Sequence, residues 1–185
     1  MKKKKDFLWA NLDTLDSTMV ELPYTGDRIV LQVLLPNEKH KIGEVEEKLM
    51  NHRIQELFEH ASNYETVDIN LTKFKLEQTI NLKNHLVTLG VKDMFMPGLA
   101  DFSGIDGTRQ LCVSRVLQKA YFEITEDGTE AAAATAVIMK YGACSQPPPS
   151  KQFVANHPFI FFMRDRTTGI LLFMGKMANP QAGAA

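Results

Sequence analysis

Residues 126–150, EDGTEAAAATAVIMKYGACSQPPPS, restrict what this chain can fold into more than any other stretch. Five alanines between Ala131 and Ala136 have the propensity of a helix. The run nevertheless ends in Pro147-Pro148-Pro149, which neither a helix interior nor a central strand accommodates. One reading is a solvent-exposed helix capped by Asp127 or Thr129. A second follows from the two-residue period of a strand. Thr129, Ala131, Ala133, Thr135, Val137 and Met139 then share a face without charge, while Glu130 and Lys140 both fall on the other. Small uncharged residues can enter between existing strands because little volume is displaced and no charge is desolvated. The segment is therefore compatible with a strand that is not always a strand, and a link this long is functional or disordered rather than a simple turn.

Strand-like and helix-like stretches alternate on both sides of it. Thr18 to Leu22 and Ile29 to Leu35 flank Tyr24-Thr25-Gly26-Asp27, a hairpin with a Gly-containing turn, and Pro36 ends the second strand. Glu44 to Ala61 carries Val45, Leu49, Ile54, Leu57, Phe58 and Ala61 mostly at helical spacing, as two short helices meeting near Asn51. Val67, Ile69 and Leu71 alternate, then Phe74 and Leu76 after a change of phase, which predicts one half-buried strand with a bulge. Asn81 caps a helix through Leu82, Leu86 and Leu89 that stops at Gly90. Leu111 to Ile124 is expected as one long strand. Phe159 to Met163 and Gly169 to Met174 are dense apolar strands joined by the polar turn Arg164-Asp165-Arg166-Thr167-Thr168.

Composition narrows the function classes. With 185 residues and 44% hydrophobic content, the chain holds enough apolar surface for one sizeable core or part of a larger one. A net charge of −1 supplies no electrostatic reason for a nucleic-acid or membrane partner. Cys112 and Cys144 make neither a disulfide framework nor a metal cluster. MKKKKD imitates the start of a signal peptide, but the apolar stretch Phe7 to Ala10 is interrupted at Asn11 and Asp13, so no signal peptide is expected in this chain. Lys2 to Lys5 read as a solvated charge run. His40, His52, His60 and His85 lack a metal-ligand pattern, and His157 before Pro158 reads as a strand-start residue rather than a base. Trp9 and the phenylalanines are expected in a core. A phosphate loop, a nucleophile elbow and a basic-aromatic stripe are all missing from the sequence, so neither an enzyme nor a nucleic-acid binder is expected.

Several ordered motifs resemble the C-terminal half of a serpin, the family of suicide inhibitors of serine and cysteine proteases. EDGTEAAAATA at 126–136 is similar to the family's reactive-loop hinge. NHPFIFF at 156–162 and GILLFMGKMANP at 169–180 are similar to its C-terminal strands, and ADFSGI at 100–105 and LPNE at 35–38 to two further segments. The resemblance runs from Lys3 onward and implies an α+β fold of several mainly antiparallel sheets with a few helices. Residues 1–185 would then be a single, partial domain with an exposed reactive loop at 126–152.

The resemblance also implies a mechanism without cofactor, metal or catalytic residue of the inhibitor's own. A target serine protease attacks the loop, a covalent acyl complex forms, and the cleaved loop inserts into the main sheet as a new strand. The hinge would be Glu126, Asp127, Gly128, Thr129, Glu130, Ala131, Ala132, Ala133, Ala134 and Thr135. The family's spacing from Gly128 puts the residue before the cut at Gly142, with Ala143 after it. Tyr141 suits a chymotrypsin-like pocket and Lys140 a trypsin-like one, so the scissile region is Lys140 to Ala143. Gln118 stands where many serpins place a histidine that controls sheet opening. A complementary N-terminal serpin segment is implied as a further partner, and secretion as the common location with the cytoplasm as alternative. The competing functional readings are a non-inhibitory carrier or chaperone module, against which the intact TEAAAATA hinge weighs, and a truncated fragment without activity.

Overall fold

The hairpin around Tyr24–Asp27 organises the larger sheet. In the computed structural model, which describes residues 2–51, 54–59, 63–124 and 150–180, β2 (Ser17–Pro23) and β3 (Ile29–Pro36) run antiparallel with Val20 opposite Val33. The turn closes through the Asp27 N–H donating to the Tyr24 carbonyl at 2.9 Å. Gly26 (φ 86°) and Asp27 (φ 56°) take the left-handed conformation that glycine adopts freely and aspartate tolerates. β1 (Lys2–Leu12) joins the other side of β2 through a 3-10 turn at Asp13–Leu15. The lysine run is thus part of a strand: its backbone pairs with β4 (Asn63–Leu71), with Lys4 opposite Asp68, while the Lys4 side chain is exposed.

The chain divides into two compact units, Met1–Phe74 with Ile124–Ala185, and Lys75–Glu123. In the first, β7 (Lys151–Ala155), β8 (Phe159–Asp165) and β9 (Leu171–Met177) complete a seven-stranded sheet of order β7-β4-β1-β2-β3-β8-β9. Every neighbouring pair is antiparallel except β4 with β7. Strand alternation gives the sheet two apolar faces. On one, Ala10, Leu12, Met19, Leu34, Ile160 and Phe162 pack with Val45 and Leu57 from the two expected helices, α1 (Ile42–Met50) and α2 (Ile54–Glu59). On the other, Val20, Val33, Val67, Ile69, Phe153, Phe159 and Phe161 are all buried. Phe74, just beyond β4, meets Phe159 at 5.6 Å and Phe161 at 5.5 Å on β8, although β1, β2 and β3 lie between those strands in the sheet. Phe74, the first residue of the strand that follows, thus lays its ring over this second face at β8.

Two expectations need correction. Residues 67–76 are two strands rather than one bulged strand: β4 ends at Leu71, and β5 (Phe74–Asn81) belongs to a separate two-stranded sheet with β6 (Leu117–Ile124). The phase change marks a switch of sheets, which lets the Phe74 ring enter the core. The long strand expected over Leu111–Ile124 begins only at Leu117. Before it, the Val113 N–H donates to the Met94 carbonyl and the Val116 carbonyl accepts from the Leu82 N–H, both at 2.8 Å. These loop partners satisfy backbone groups that a strand ladder would otherwise use. The helix after Asn81 forms as α3 (Lys83–Thr88), with the Asn81 side chain accepting from the Lys83 N–H at 3.2 Å and Gly90 (φ 97°) beyond its end. A short α4 (Ser103–Asp106) begins in the ADFSGI stretch and ends one residue past it, started by Asp101, whose carboxylate accepts from the Ser103 N–H at 3.1 Å.

Candidate functional site

The hinge residues Glu126, Asp127, Gly128, Thr129, Glu130, Ala131, Ala132, Ala133, Ala134 and Thr135, and the scissile region Lys140, Tyr141, Gly142 and Ala143, lie outside the described residues. The structure describes the chain on either side of them. On the upstream side, Phe122 and Ile124 of β6 are buried while Lys119, Tyr121 and Glu123 alternate outward. The outward side is tied together by polar contacts with β5: Lys119 pairs with Glu77, and the Lys75 ammonium lies 5.0 Å from the centre of the Tyr121 ring. Tyr121 donates its hydroxyl to Glu123, and that bond raises the phenol above its ordinary value. Gln118 is exposed on the same strand.

On the downstream side, β7 lies parallel to β4, with Lys151 beside Val67, Phe153 beside Ile69 and Ala155 beside Leu71. Phe153 is 1% exposed and meets Trp9 edge to face at 6.1 Å, so an aromatic pair pins this strand near its start. Gln152 donates to the Asp68 carboxylate at 3.3 Å on the outer side. The connection onward to β8 is held by His157, whose Nε2 is 2.8 Å from the Pro36 carbonyl at the end of β3. His157 is a strand-start residue as expected, with a bond to a neighbouring strand that the sequence did not reveal.

Sequence reasoning missed the charged cluster that fixes the β2–β3 and β8–β9 hairpins to each other. Glu21 is 1% exposed and accepts from Gln32 at 2.7 Å, Arg164 at 3.1 Å and Arg166 at 2.5 Å. Burial works against the Arg166 charge, but the Glu21 carboxylate, followed by Tyr64 and Asp27, leaves the guanidinium above its ordinary value. Next to this cluster, Arg28 grips Asp165 through Nε at 2.8 Å, and the other Asp165 oxygen accepts the Thr167 N–H at 2.8 Å inside the β8–β9 turn. The Arg28 bond holds the Asp165 carboxyl below the usual carboxylate value. The signal available in the sequence was a glutamate in the otherwise apolar strand Met19–Leu22, with two arginines around Asp165. Among the described residues, no three His, Cys, Asp or Glu side chains converge as metal ligands, and no helix is long and apolar enough to cross a membrane.

Residues 1–180 match the family described as serpin, serine protease inhibitor. The chain belongs to the serpin family. It is 41% identical to human Serpin B3 over 182 residues and 36% identical to the human leukocyte elastase inhibitor over 186. Each alignment covers 97% of this chain but only 46% and 48% of the relative, so the chain spans about half the length of the curated serpins it matches. Its fold is similar to a serpin from the trematode Schistosoma haematobium, with a TM-score of 0.80 and 27% identity, covering 97% of this chain and 46% of that one. Within this partial serpin fold, NHPFIFF contains the His157 contact and the start of β8, and GILLFMGKMANP contains β9.

Proposed function

We propose that this chain carries the reactive loop of a serpin-type inhibitor of serine proteases, with residues 126–152 as bait. The single observation that carries this reading is the hinge sequence TEAAAATA, lying in a link between two strands whose adjoining residues, Ile124 and Phe153, are both buried. The family description as serine protease inhibitors and a relative named for inhibiting leukocyte elastase support it. The target's serine oxygen attacks a carbonyl between Lys140 and Ala143, the peptide bond breaks, and the ester that forms is the covalent acyl complex. Insertion of Glu126 to Thr135 and the residues that follow as a strand then competes with hydrolysis of that ester; each ladder bond gained contributes about 1 kcal/mol net. Tyr141 directs the loop to a chymotrypsin-like target, and Lys140 to a trypsin-like one. The extracellular space is the location this reading assigns.

A second reading is that inhibition requires a complementary serpin segment. It is favoured by β9, where Leu171, Leu172, Phe173 and Met174 are 37 to 59% exposed, a density of apolar surface that single soluble units seldom leave open. Intact mass and a denaturing gel after mixing the chain with chymotrypsin or trypsin test both readings. A covalent product at the mass of protease plus chain supports inhibition by this chain alone. Cleavage between Lys140 and Ala143 with fully active protease supports the dependence on a complement. No cleavage in 126–152 refutes the bait assignment.

A further inference from the structure

We propose that Asn70 is the acceptor of an asparagine-linked oligosaccharide. Asn70-Leu71-Thr72 is the only Asn-X-Ser/Thr triplet in the chain, and its central residue is leucine rather than the excluded proline. Within β4 the flanking Ile69 and Leu71 are both 0% exposed, so strand alternation turns Asn70 outward, where it is exposed. Thr72, one residue past the strand, is partly exposed. Other polar residues on the outward side of β4 are engaged, Thr66 with Asp6 at 2.6 Å and Asp68 with Gln152 at 3.3 Å. The side chains of Asn37, Asn51, Asn81 and Asn156 are likewise committed to hydrogen bonds. Asn70 makes no such bond to any described side chain. Its neighbours across the two ladders are Lys2 of β1 and Val154 of β7, the latter an apolar residue 37% exposed, which a first sugar ring on Asn70 would cover.

The donor is an oligosaccharide carried on a lipid diphosphate in the secretory pathway. The Asn70 Nδ2 attacks the anomeric carbon of the first sugar and a C–N bond forms. The bond from that carbon to the diphosphate oxygen breaks with its electron pair leaving on the diphosphate, and the amide gives up one proton. Nothing is oxidised or reduced. Transfer onto the unfolded chain meets no obstruction from the β4 ladder, and the folded sheet tolerates the product because the side chain already faces water. The glycan would stand about 10 Å along β4 from Val67, three residues at the rise of a strand, and Val67 is the residue beside which Lys151 begins β7.

The inference depends on the extracellular location proposed above and not on inhibition. It is tested on the peptide containing Asn70 from the protein purified from its natural source, treated with peptide N-glycosidase in heavy-oxygen water. A peptide carrying an oligosaccharide, converted by the enzyme to an oxygen-labelled aspartate at 70, supports the proposal; the same peptide found bare before treatment overturns it. A second arm leads the chain into the endoplasmic reticulum of animal cells with a signal peptide. There the wild type and Thr72→Ser are expected to lose the mass of one oligosaccharide on enzyme treatment, and Asn70→Gln and Thr72→Ala to lose none. A bare wild type in that arm overturns the acceptor itself. Modification there but not in the natural protein overturns the proposal through location and leaves the protease reading untouched.

Discussion

Glu21 shows how much a single side chain settles in this fold. It is 1% exposed and faces the guanidinium groups of Arg164 and Arg166, which are 13% and 34% exposed. Removing one member of a buried ionic group strands the others, so Glu21→Leu is expected to cost about 3–5 kcal/mol, read as a lower urea midpoint at unchanged slope. Gly175 is critical for steric reasons. It lies opposite Phe161, and a Cβ there would sit 2.5 Å from the Phe161 Cζ. Gly175→Ala should therefore destabilise by about 1–3 kcal/mol, and Phe161→Leu in the same chain should recover part of that loss in a thermal melt. Asp165 sets a pH dependence. Its folded carboxyl is held below the ordinary value of 3.8, chiefly by Arg28. The stabilisation is thus fully present above that value and is lost as pH falls through the lower, folded one. The stability advantage of the wild type over Asp165→Asn should stay level from neutral pH down to about pH 5 and shrink below about pH 4. An advantage that grows on acidification would contradict this assignment.

Among the elements, β9 and the link between β6 and β7 carry the consequences. β9 is an edge strand of the seven-stranded sheet, and an unpaired apolar edge is a template for association with another chain. A groove of about 420 Å³ beside it, lined by Leu49, Met50, Ile54, Ile160 and Met174, adds further apolar surface. Leu172→Lys with Met174→Lys should reduce self-association of the isolated chain, seen as less light scattering at the same concentration. For the link, Thr129 belongs to the uncharged face of the proposed inserting strand. Burying an unpaired arginine there costs several kcal/mol, so Thr129→Arg is expected to turn inhibitor into substrate. A covalent protease complex formed as readily by that variant would exclude insertion at this position. The hairpin of β2 and β3, the paired helices after it and the cap on α3 were legible in the sequence, because turn and capping residues act on neighbours a few positions away. The split at Thr72-Lys73 was not: alternation records which residues face inward, and says nothing of which sheet receives them.

For the whole molecule, the alignment spans only about half of each curated relative, and β9, at the edge of its sheet, leaves Leu171, Leu172 and Met174 37 to 59% exposed. Adding a serpin segment that corresponds to the unaligned part of those relatives should raise the melting temperature of the chain and lower its light scattering; no change in either would count against the complement reading. The motifs TEAAAATA, NHPFIFF and GILLFMGKMANP were sufficient for the family, and with it the mainly antiparallel α+β fold. The candidate bait residues were named through the resemblance to serpins and lie outside the described residues. What only the tertiary structure decided are the contacts between distant parts of the chain: the packing of Phe74 onto β8, the His157 bond to Pro36, and the Glu21 cluster, whose arginines lie 143 and 145 residues away. The sequence by itself determined turns, caps and strand faces because those depend on residues close together along the chain. It left these pairings open because many buried partners satisfy the same alternation, and only the assembled sheet, with its buried charges to neutralise, selects one of them.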